Sequence, residues 1–82
     1  MLFRIEFNID EEIITMNSKT DDKSLIMDFD SEFDCVKYAI NYADEYMINH
    51  KGMRVNCINI YDEYTIEPES ERHKLLIEIE NY

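Results

Sequence analysis

The fold is decided by residues 31–52, which read SEFDCVKYAINYADEYMINHKG. Ser31 is a favourable N-cap, and Asp34 stands three residues later, where a capping box has its acidic partner. The large apolar residues that follow recur at steps of three and four, the spacing of one helical face: Phe33, Val36, Ile40, Ala43 and Met47. Gly52, the only glycine, is a natural stop. This pattern predicts a helix over residues 32–50.

Three strands are predicted before this helix. Residues 2–9 alternate between an apolar and a polar face, which is typical of a half-buried strand. The two faces hold Phe3, Ile5, Phe7 and Ile9 on one side and Arg4, Glu6 and Asn8 on the other. Residues 13–16 suggest a short second strand, 17–22 a polar turn, and 23–29 a third strand.

Two more strands are predicted after the helix. Residues 53–61 are apolar on both faces, with Val55, Cys57 and Tyr61 on one and Ile58 and Ile60 on the other. Such a strand is usually central in its sheet. Residues 62–73 form a polar connection, and 74–80 a last strand with Leu75, Ile77 and Ile79 inward and Leu76, Glu78 and Glu80 outward. The order β-β-β-α-β-β predicts an α+β fold, with one helix on a mostly antiparallel sheet, in a single domain over residues 1–82.

The charge of the chain is its most unusual bulk property. It has 19 Asp and Glu against 8 Lys and Arg, a formal net charge of −11, and the acids are spread along the whole chain. Such a protein repels nucleic acid and anionic membranes and attracts basic surfaces. The two cysteines are too few for a disulfide framework, and no apolar run reaches the roughly 20 residues of a membrane span. The expected compartment is the cytoplasm.

Two segments are candidates for partner binding. The first is the acidic loop 61–71, whose tyrosines offer contact area and whose carboxylates accept bonds from arginine. Its candidate residues are Tyr61, Asp62, Glu63, Tyr64, Glu67, Glu69 and Glu71. The alternative for this loop is a solvated hairpin connection without a binding role.

The second candidate is the helix surface. If the core face is centred on Phe33, Ile40 and Met47, then Tyr38 and Tyr42 fall on the far side. Asp34 and Glu45 lie beside them. Exposed tyrosines flanked by acids suit a protein interface. The alternatives are that the tyrosines only support the helix, or that they contact a loop or another subunit, such as a second copy of the chain in a homodimer.

No constellation in the chain indicates catalysis, a metal or a cofactor. The acids Asp28, Asp30 and Glu32 are spaced like calcium ligands, but Phe33 and Ala39 occupy the positions where an EF-hand needs Gly and Glu. Four residues could ligate zinc but form no close pair: Cys35, Cys57, His50 and His73. A glycine-rich phosphate loop and a nucleophile motif are both lacking in the sequence. We expect a binding protein and not an enzyme.

Size, acidity, one short helix on a sheet and a composition typical of an AT-rich genome together give a resemblance to a known group. The chain resembles small acidic phage inhibitors, among them anti-CRISPR proteins and the uracil-DNA glycosylase inhibitor. The resemblance implies a phage or mobile-element protein that mimics nucleic acid on a basic surface of a bacterial nuclease or interference complex. Two alternatives stay open: an immunity protein or antitoxin against a basic toxin, and a small self-associating structural subunit.

Overall fold

The computed structural model of the chain describes residues 1–63 and 73–80. These form β1 (Leu2–Glu11), β2 (Lys23–Asp28), α1 (Glu32–Asn49), β3 (Met53–Glu63) and β4 (His73–Glu80). The strands pair antiparallel in the order β2-β1-β3-β4, and α1 packs on one face of the sheet. The predicted α+β class with one helix on an antiparallel sheet is confirmed. The described part of the chain has four strands where the sequence suggested five.

The core lies between α1 and one face of the sheet. The four apolar residues of β1 that alternate in the sequence are almost fully buried: Phe3, Ile5, Phe7 and Ile9. Ile5 pairs with Leu25 of β2 and with Ile60 of β3. Because directly opposite residues of antiparallel strands point to the same face, this register places apolar residues of β2 and β3 on the same face of the sheet as those of β1.

A stripe of small residues fixes how α1 packs on the sheet. Cys35, Ala39 and Ala43 are fully buried, and Tyr46 is 7% exposed. Short side chains let the helix approach the strands closely, so the centre of the contact is the stripe and not the largest residues. The predicted core face was therefore wrong at Phe33, which is 72% exposed. Three other predicted face residues, Val36, Ile40 and Met47, are half-buried, and Ala43 is buried as predicted.

Both ends of α1 follow the sequence prediction closely. The Ser31 hydroxyl accepts a hydrogen bond from the backbone amide of Asp34 at 3.1 Å, which satisfies one of the free amides of the first turn. The helix ends at Asn49, with His50 as its C-cap. Gly52 has a φ of 88°, in the left-handed region that favours glycine, and so allows the turn into β3.

The predicted strand over residues 13–16 is a turn. Ile13 and Ile14 are each 78% exposed, and Met16 is fully exposed. Ser18 closes the turn: its amide donates to the carbonyl of Thr15 at 3.2 Å, and its hydroxyl accepts from the amide of Thr15. These local hydrogen bonds satisfy the backbone groups that a strand would present to a neighbour.

Two register shifts change which residues of β3 and β4 face the helix. One lies between Asn8 and Ile9 of β1, opposite β3, and the other between Ile60 and Tyr61 of β3, opposite β4. The first shift brings Val55 to the same face as Ile58 and Ile60, and all three are buried. The sequence had placed Val55 with Cys57 and Tyr61, which was wrong because a bulge breaks the two-residue period.

The second shift affects β4. Ile77 and Ile79 pack against the core as predicted, and Leu76 packs there with them. Leu75 pairs with Tyr61 and is 44% exposed, so its predicted inward position was wrong. The predicted central position of the strand that begins at Met53 is confirmed, because β3 lies between β1 and β4.

The segment that enters β2 is tied to both layers. The amide of Asp21 donates to the carbonyl of Ile9 at 2.9 Å, and the Asp22 carboxylate accepts from the Ile9 amide at 2.8 Å. The Tyr46 hydroxyl donates to the Asp21 carboxylate, and the Tyr46 ring stacks on His50 with centroids 4.0 Å apart. Burial and the bond to Asp21 raise the pKa of Tyr46 to about 12. The same bond, followed by one from Lys23, lowers the pKa of Asp21.

The placement of the core can be tested with two phenylalanines. We expect Phe7→Ala to lower the free energy of unfolding by about 3–5 kcal/mol, because it removes a fully buried ring. Phe33→Ala should change it by no more than about 0.5 kcal/mol, as for other exposed positions. Urea denaturation of both variants measures the difference. A large loss in Phe33→Ala would contradict the packing of α1 through its small-residue stripe.

The bond between Tyr46 and Asp21 predicts an alkaline dependence of stability. The folded-state pKa of Tyr46, about 12, lies above its ordinary value of 10. The folded protein therefore holds this proton more tightly than the unfolded chain, and the stabilisation is lost as pH rises from 10 toward 12. Urea unfolding measured from about pH 8 to about pH 11 should show a smaller alkaline decline of stability in Tyr46→Phe than in the unaltered protein. Equal declines in both proteins would contradict the assignment.

Candidate docking surface

The face of the sheet opposite α1, here called the open face, is uncovered in the part of the chain that the structure describes. Its residues follow from the strand register and from their alternation with the core positions. Across its middle they are Arg4, Glu6 and Asn8 of β1, Ser24 and Ile26 of β2, Cys57, Asn59 and Tyr61 of β3, and Leu75, Glu78 and Glu80 of β4.

The register arranges these residues in rows that cross the strands. One row, here called the apolar row, runs Ile26, Arg4, Tyr61 and Leu75 from edge to edge. The next, here called the acidic row, runs Ser24, Glu6, Asn59 and Glu78. Beyond it, Glu80 pairs with Cys57, which pairs with Asn8. Neighbouring side chains within a row are about 5 Å apart, so the acidic row puts two carboxylates about 10 Å apart with an amide between them.

Arg4, the charged member of the apolar row, is held in place by an ion pair. The Arg4 guanidinium lies 2.9 Å from the carboxylate of Glu63 and 3.8 Å from that of Glu6. The Glu63 side chain is only 7% exposed, and that of Arg4 is 28% exposed. The positive charge of Arg4 is thus shared between Glu63 and Glu6, and Glu78, on the far side of Asn59, lies outside this ion pair.

Two titratable groups on the open face report its negative potential. Burial raises the pKa of Tyr61, and the nearby carboxylates of Glu6 and Glu78 raise it further. Burial also raises the pKa of Cys57, with the negative charges of Glu78 and Glu80 adding to the effect. In both cases neighbouring acids oppose the formation of another negative charge. The open face is therefore negative at its centre and at its β4 edge.

The acidic row contains a polar atom without a hydrogen-bond partner. The side-chain oxygen of Asn59 is buried and accepts no hydrogen bond from the residues that the structure describes. Glu6 and Asn59 line a groove of about 360 Å³ whose other lining residues include Asn8, Ser24 and Cys57. An oxygen of this kind is costly to leave unpaired, so the groove offers an acceptor to a partner that brings a donor.

The structure separates the residues of the predicted acidic loop. Tyr61 lies half-buried on the open face, while Asp62 pairs with Phe3, which faces the helix. Glu63 is buried and joined to Arg4, so it is not a surface contact. The remaining members of the prediction, Tyr64, Glu67, Glu69 and Glu71, lie outside the described residues.

The predicted tyrosine face of the helix does not exist as a free surface. Tyr42 stacks on Phe7 with centroids 4.7 Å apart, and Tyr38 packs against Phe29 at 5.5 Å. Both tyrosines are half-buried against the core. Asp34 and Glu45 are exposed on α1 as predicted, without the two tyrosines as exposed neighbours. The error follows from the rotation of the helix toward its small residues.

Sequence reasoning missed Glu6, Asn59, Glu78 and Glu80 as candidate docking residues. The sequence does indicate that Glu6, Glu78 and Glu80 point away from the core, because all three occupy outward positions of alternating strands. What joins them is the order β1-β3-β4, which brings residues more than 70 positions apart into one row. That pairing is non-local and leaves no mark in the local pattern.

Other features of the described residues do not indicate a reactive centre. No group of three or more His, Cys, Asp or Glu side chains among them is placed to hold a metal ion. Burial, assisted by the charge of Glu32, raises the pKa of Cys35 to about 11, which keeps this thiol protonated. Over the described residues, no helix has the length and apolar character that crossing a membrane requires.

The chain matches no protein-family model, and neither the curated proteins nor the solved structures contain a match.

The ion pair on the open face can be tested by removing one partner or both. We expect Arg4→Met to lower the free energy of unfolding by about 3 kcal/mol, because it removes the cation that lies 2.9 Å from the largely buried Glu63 carboxylate. Arg4→Met combined with Glu63→Leu should recover most of this loss, since apolar residues can replace a buried pair. Urea denaturation measures both. A double variant no more stable than the single one would contradict a charge-based explanation.

Proposed function

We propose that this protein is a small acidic inhibitor, encoded by a phage or mobile element, that docks on a basic nucleic-acid-binding surface of a bacterial nuclease or interference complex. It acts in the host cytoplasm by occupying the surface, without catalysis. The observation that carries the proposal is the open face, where exposed carboxylates stand on a rigid sheet and Arg4 is engaged by Glu63.

The geometry supports docking by a folded surface over binding by a flexible acidic segment. Carboxylates on paired strands are held in register by backbone hydrogen bonds, so little side-chain and backbone freedom is lost on binding. Proteins that bind nucleic acid present Lys and Arg side chains in arrays suited to phosphates. A sheet face that presents carboxylates in rows is complementary to such an array.

The net charge supports the same partner class. At −11, the protein repels nucleic acid and other acidic proteins and is steered toward basic surfaces. Steering of this kind raises the association rate and weakens as salt rises. Binding should therefore be fast, salt-dependent and competitive with nucleic acid for the same target surface.

The test is capture from a lysate of a low-GC bacterium on the immobilised protein, with and without prior nuclease treatment, followed by mass spectrometry. We expect one basic nucleic-acid-binding protein to be retained in both samples and to elute as salt is raised. Its complex with the purified protein should be displaced by added duplex DNA or structured RNA, and its nuclease or interference activity should fall when the protein is added.

The outcomes separate the proposal from its alternatives. A captured basic protein that binds nucleic acid normally beside this chain would contradict occupation of the nucleic-acid site. A captured toxin without affinity for nucleic acid would favour an immunity protein. Retention of only further copies of the chain, with a stable dimer in sedimentation, would favour a self-associating subunit.

A further inference from the structure

We propose that the open face is the docking surface itself, and that its acidic row receives an arginine side chain of the basic partner above Asn59. This inference rests on the proposed function and names the part of the molecule that performs it. The sequence placed binding in the loop 61–71 and on the helix, whereas the observations that point to a ligand lie together on the sheet.

The acidic row is an array of acceptors. Glu6, Asn59 and Glu78 are consecutive across β1, β3 and β4, each directly paired with the next. The carboxylates accept hydrogen bonds only, and the Asn59 oxygen is buried without a donor. The one basic side chain in the neighbouring apolar row, Arg4, is directed at Glu63. Glu6 is already hydrogen-bonded to the Tyr61 hydroxyl and lies 3.8 Å from Arg4, whereas the Asn59 oxygen has no donor among the described residues. The row therefore has an acceptor left for a donor that a partner brings.

A guanidinium fits this array better than an ammonium. It is planar, carries five N–H donors in a fixed fork, and is more weakly hydrated than an ammonium ion. Placed above Asn59, it can donate to a flanking carboxylate and, once the Asn59 side chain turns its buried oxygen toward the groove, to the amide oxygen as well, because the row spacing is about 5 Å. The groove of about 360 Å³ beside Glu6 and Asn59 gives the side chain room to enter.

The apolar row supplies the contact area that charge alone does not. Ile26 and Leu75 are 53% and 44% exposed at the two edges of the sheet, and Tyr61 lies between them. Apolar and aromatic residues beside a charged cluster exclude water from it when a partner binds, which strengthens the charged hydrogen bonds. The open face therefore combines an acceptor row for arginine with an adjoining row for apolar contact.

The occupant that charge complementarity selects is a basic protein surface and not a second copy. A second chain would bring another net charge of −11 and set carboxylates against carboxylates. Glu78 and Glu80 also lie on β4, an edge strand, so pairing of two β4 edges would bring like charges together. A partner surface with arginine residues brings positive charge to the same carboxylates, so the repulsion in both cases is replaced by attraction.

The first test maps binding on the unaltered protein with octa-arginine and octa-lysine as probes. Amide and side-chain signals of the 15N-labelled chain are followed as each peptide is added at the same ionic strength. We expect the largest shifts at Glu6, Asn59 and Glu78, including the side-chain amide of Asn59, and binding of octa-arginine several-fold tighter than that of octa-lysine. Largest shifts on α1, or equal affinity for both peptides, would overturn the inference.

The second test compares two triple variants of equal charge. Glu6→Gln, Glu78→Gln and Glu80→Gln together, and Glu12→Gln, Asp30→Asn and Glu45→Gln together, each change the net charge from −11 by three, to −8. The first set lies on the open face and the second in turns and on α1. We expect about a tenfold loss of affinity for octa-arginine in the first set and about twofold in the second.

These results distinguish the inference from the function on which it rests. If both triple variants lose affinity equally, the open face is not the docking surface, although a basic partner captured from the lysate would still support the proposed function. If neither peptide binds in a salt-dependent way, the proposed function fails as well. Circular dichroism of both variants checks that the fold is retained, and the mapping on the unaltered protein does not depend on any variant.

Discussion

The close approach of α1 to the sheet is the constraint on which the rest of the structure depends. Cys35, Ala39 and Ala43 present so little volume that the helix lies directly over β1 and β3, where the core residues of both strands converge. Tyr38 and Tyr42 then reach down beside the stripe and seal its flank against Phe29 and Phe7. One helix covers one face of a four-stranded sheet, and antiparallel sheets tolerate water on the other. The open face is thus a consequence of this packing.

The elements with local signals could be predicted from the sequence. The alternation of residues 2–9, the capping of α1 by Ser31 and the stop near Gly52 each depend on residues a few positions apart. The core face of the helix could not be predicted in the same way, because periodicity weighs large apolar residues while the packing is centred on small ones. Phe33 carries the strongest hydrophobic signal of the first turn and yet is mostly exposed. The fit between the helix and the sheet determines which helix face is buried, and this fit depends on tertiary contacts and not on the local sequence pattern.

The candidate site was less predictable than the fold for a related reason. That Glu6, Glu78 and Glu80 point away from the core follows from alternation alone. That Asn59 stands between Glu6 and Glu78 requires the pairing of β1 with β3 and of β3 with β4. Two register shifts elsewhere in these pairings move Val55 inward and Leu75 outward. Bulges of this kind have no sequence signature here, because apolar and polar residues occur on both faces of β3. The sequence prediction therefore chose acidic residues that are contiguous in the chain, whereas the structure brings together acidic residues from different strands.

The buried ion pair explains how an acidic face can also be a rigid one. A sheet whose outward positions were all carboxylates would repel itself and weaken the pairing of β1 with β3. Arg4 relieves this repulsion where it meets Glu63. The Glu63 side chain is almost fully buried, so water does not screen the attraction between its carboxylate and the guanidinium. Farther from Arg4, Glu78 and Glu80 are exposed to solvent, and the cost of their mutual repulsion is small in water but rises if they are desolvated alone. A surface of this kind is stable when solvated and is unfavourable to bury against anything except a cation. The stability of the face and the kind of surface that we propose it binds thus have the same electrostatic origin.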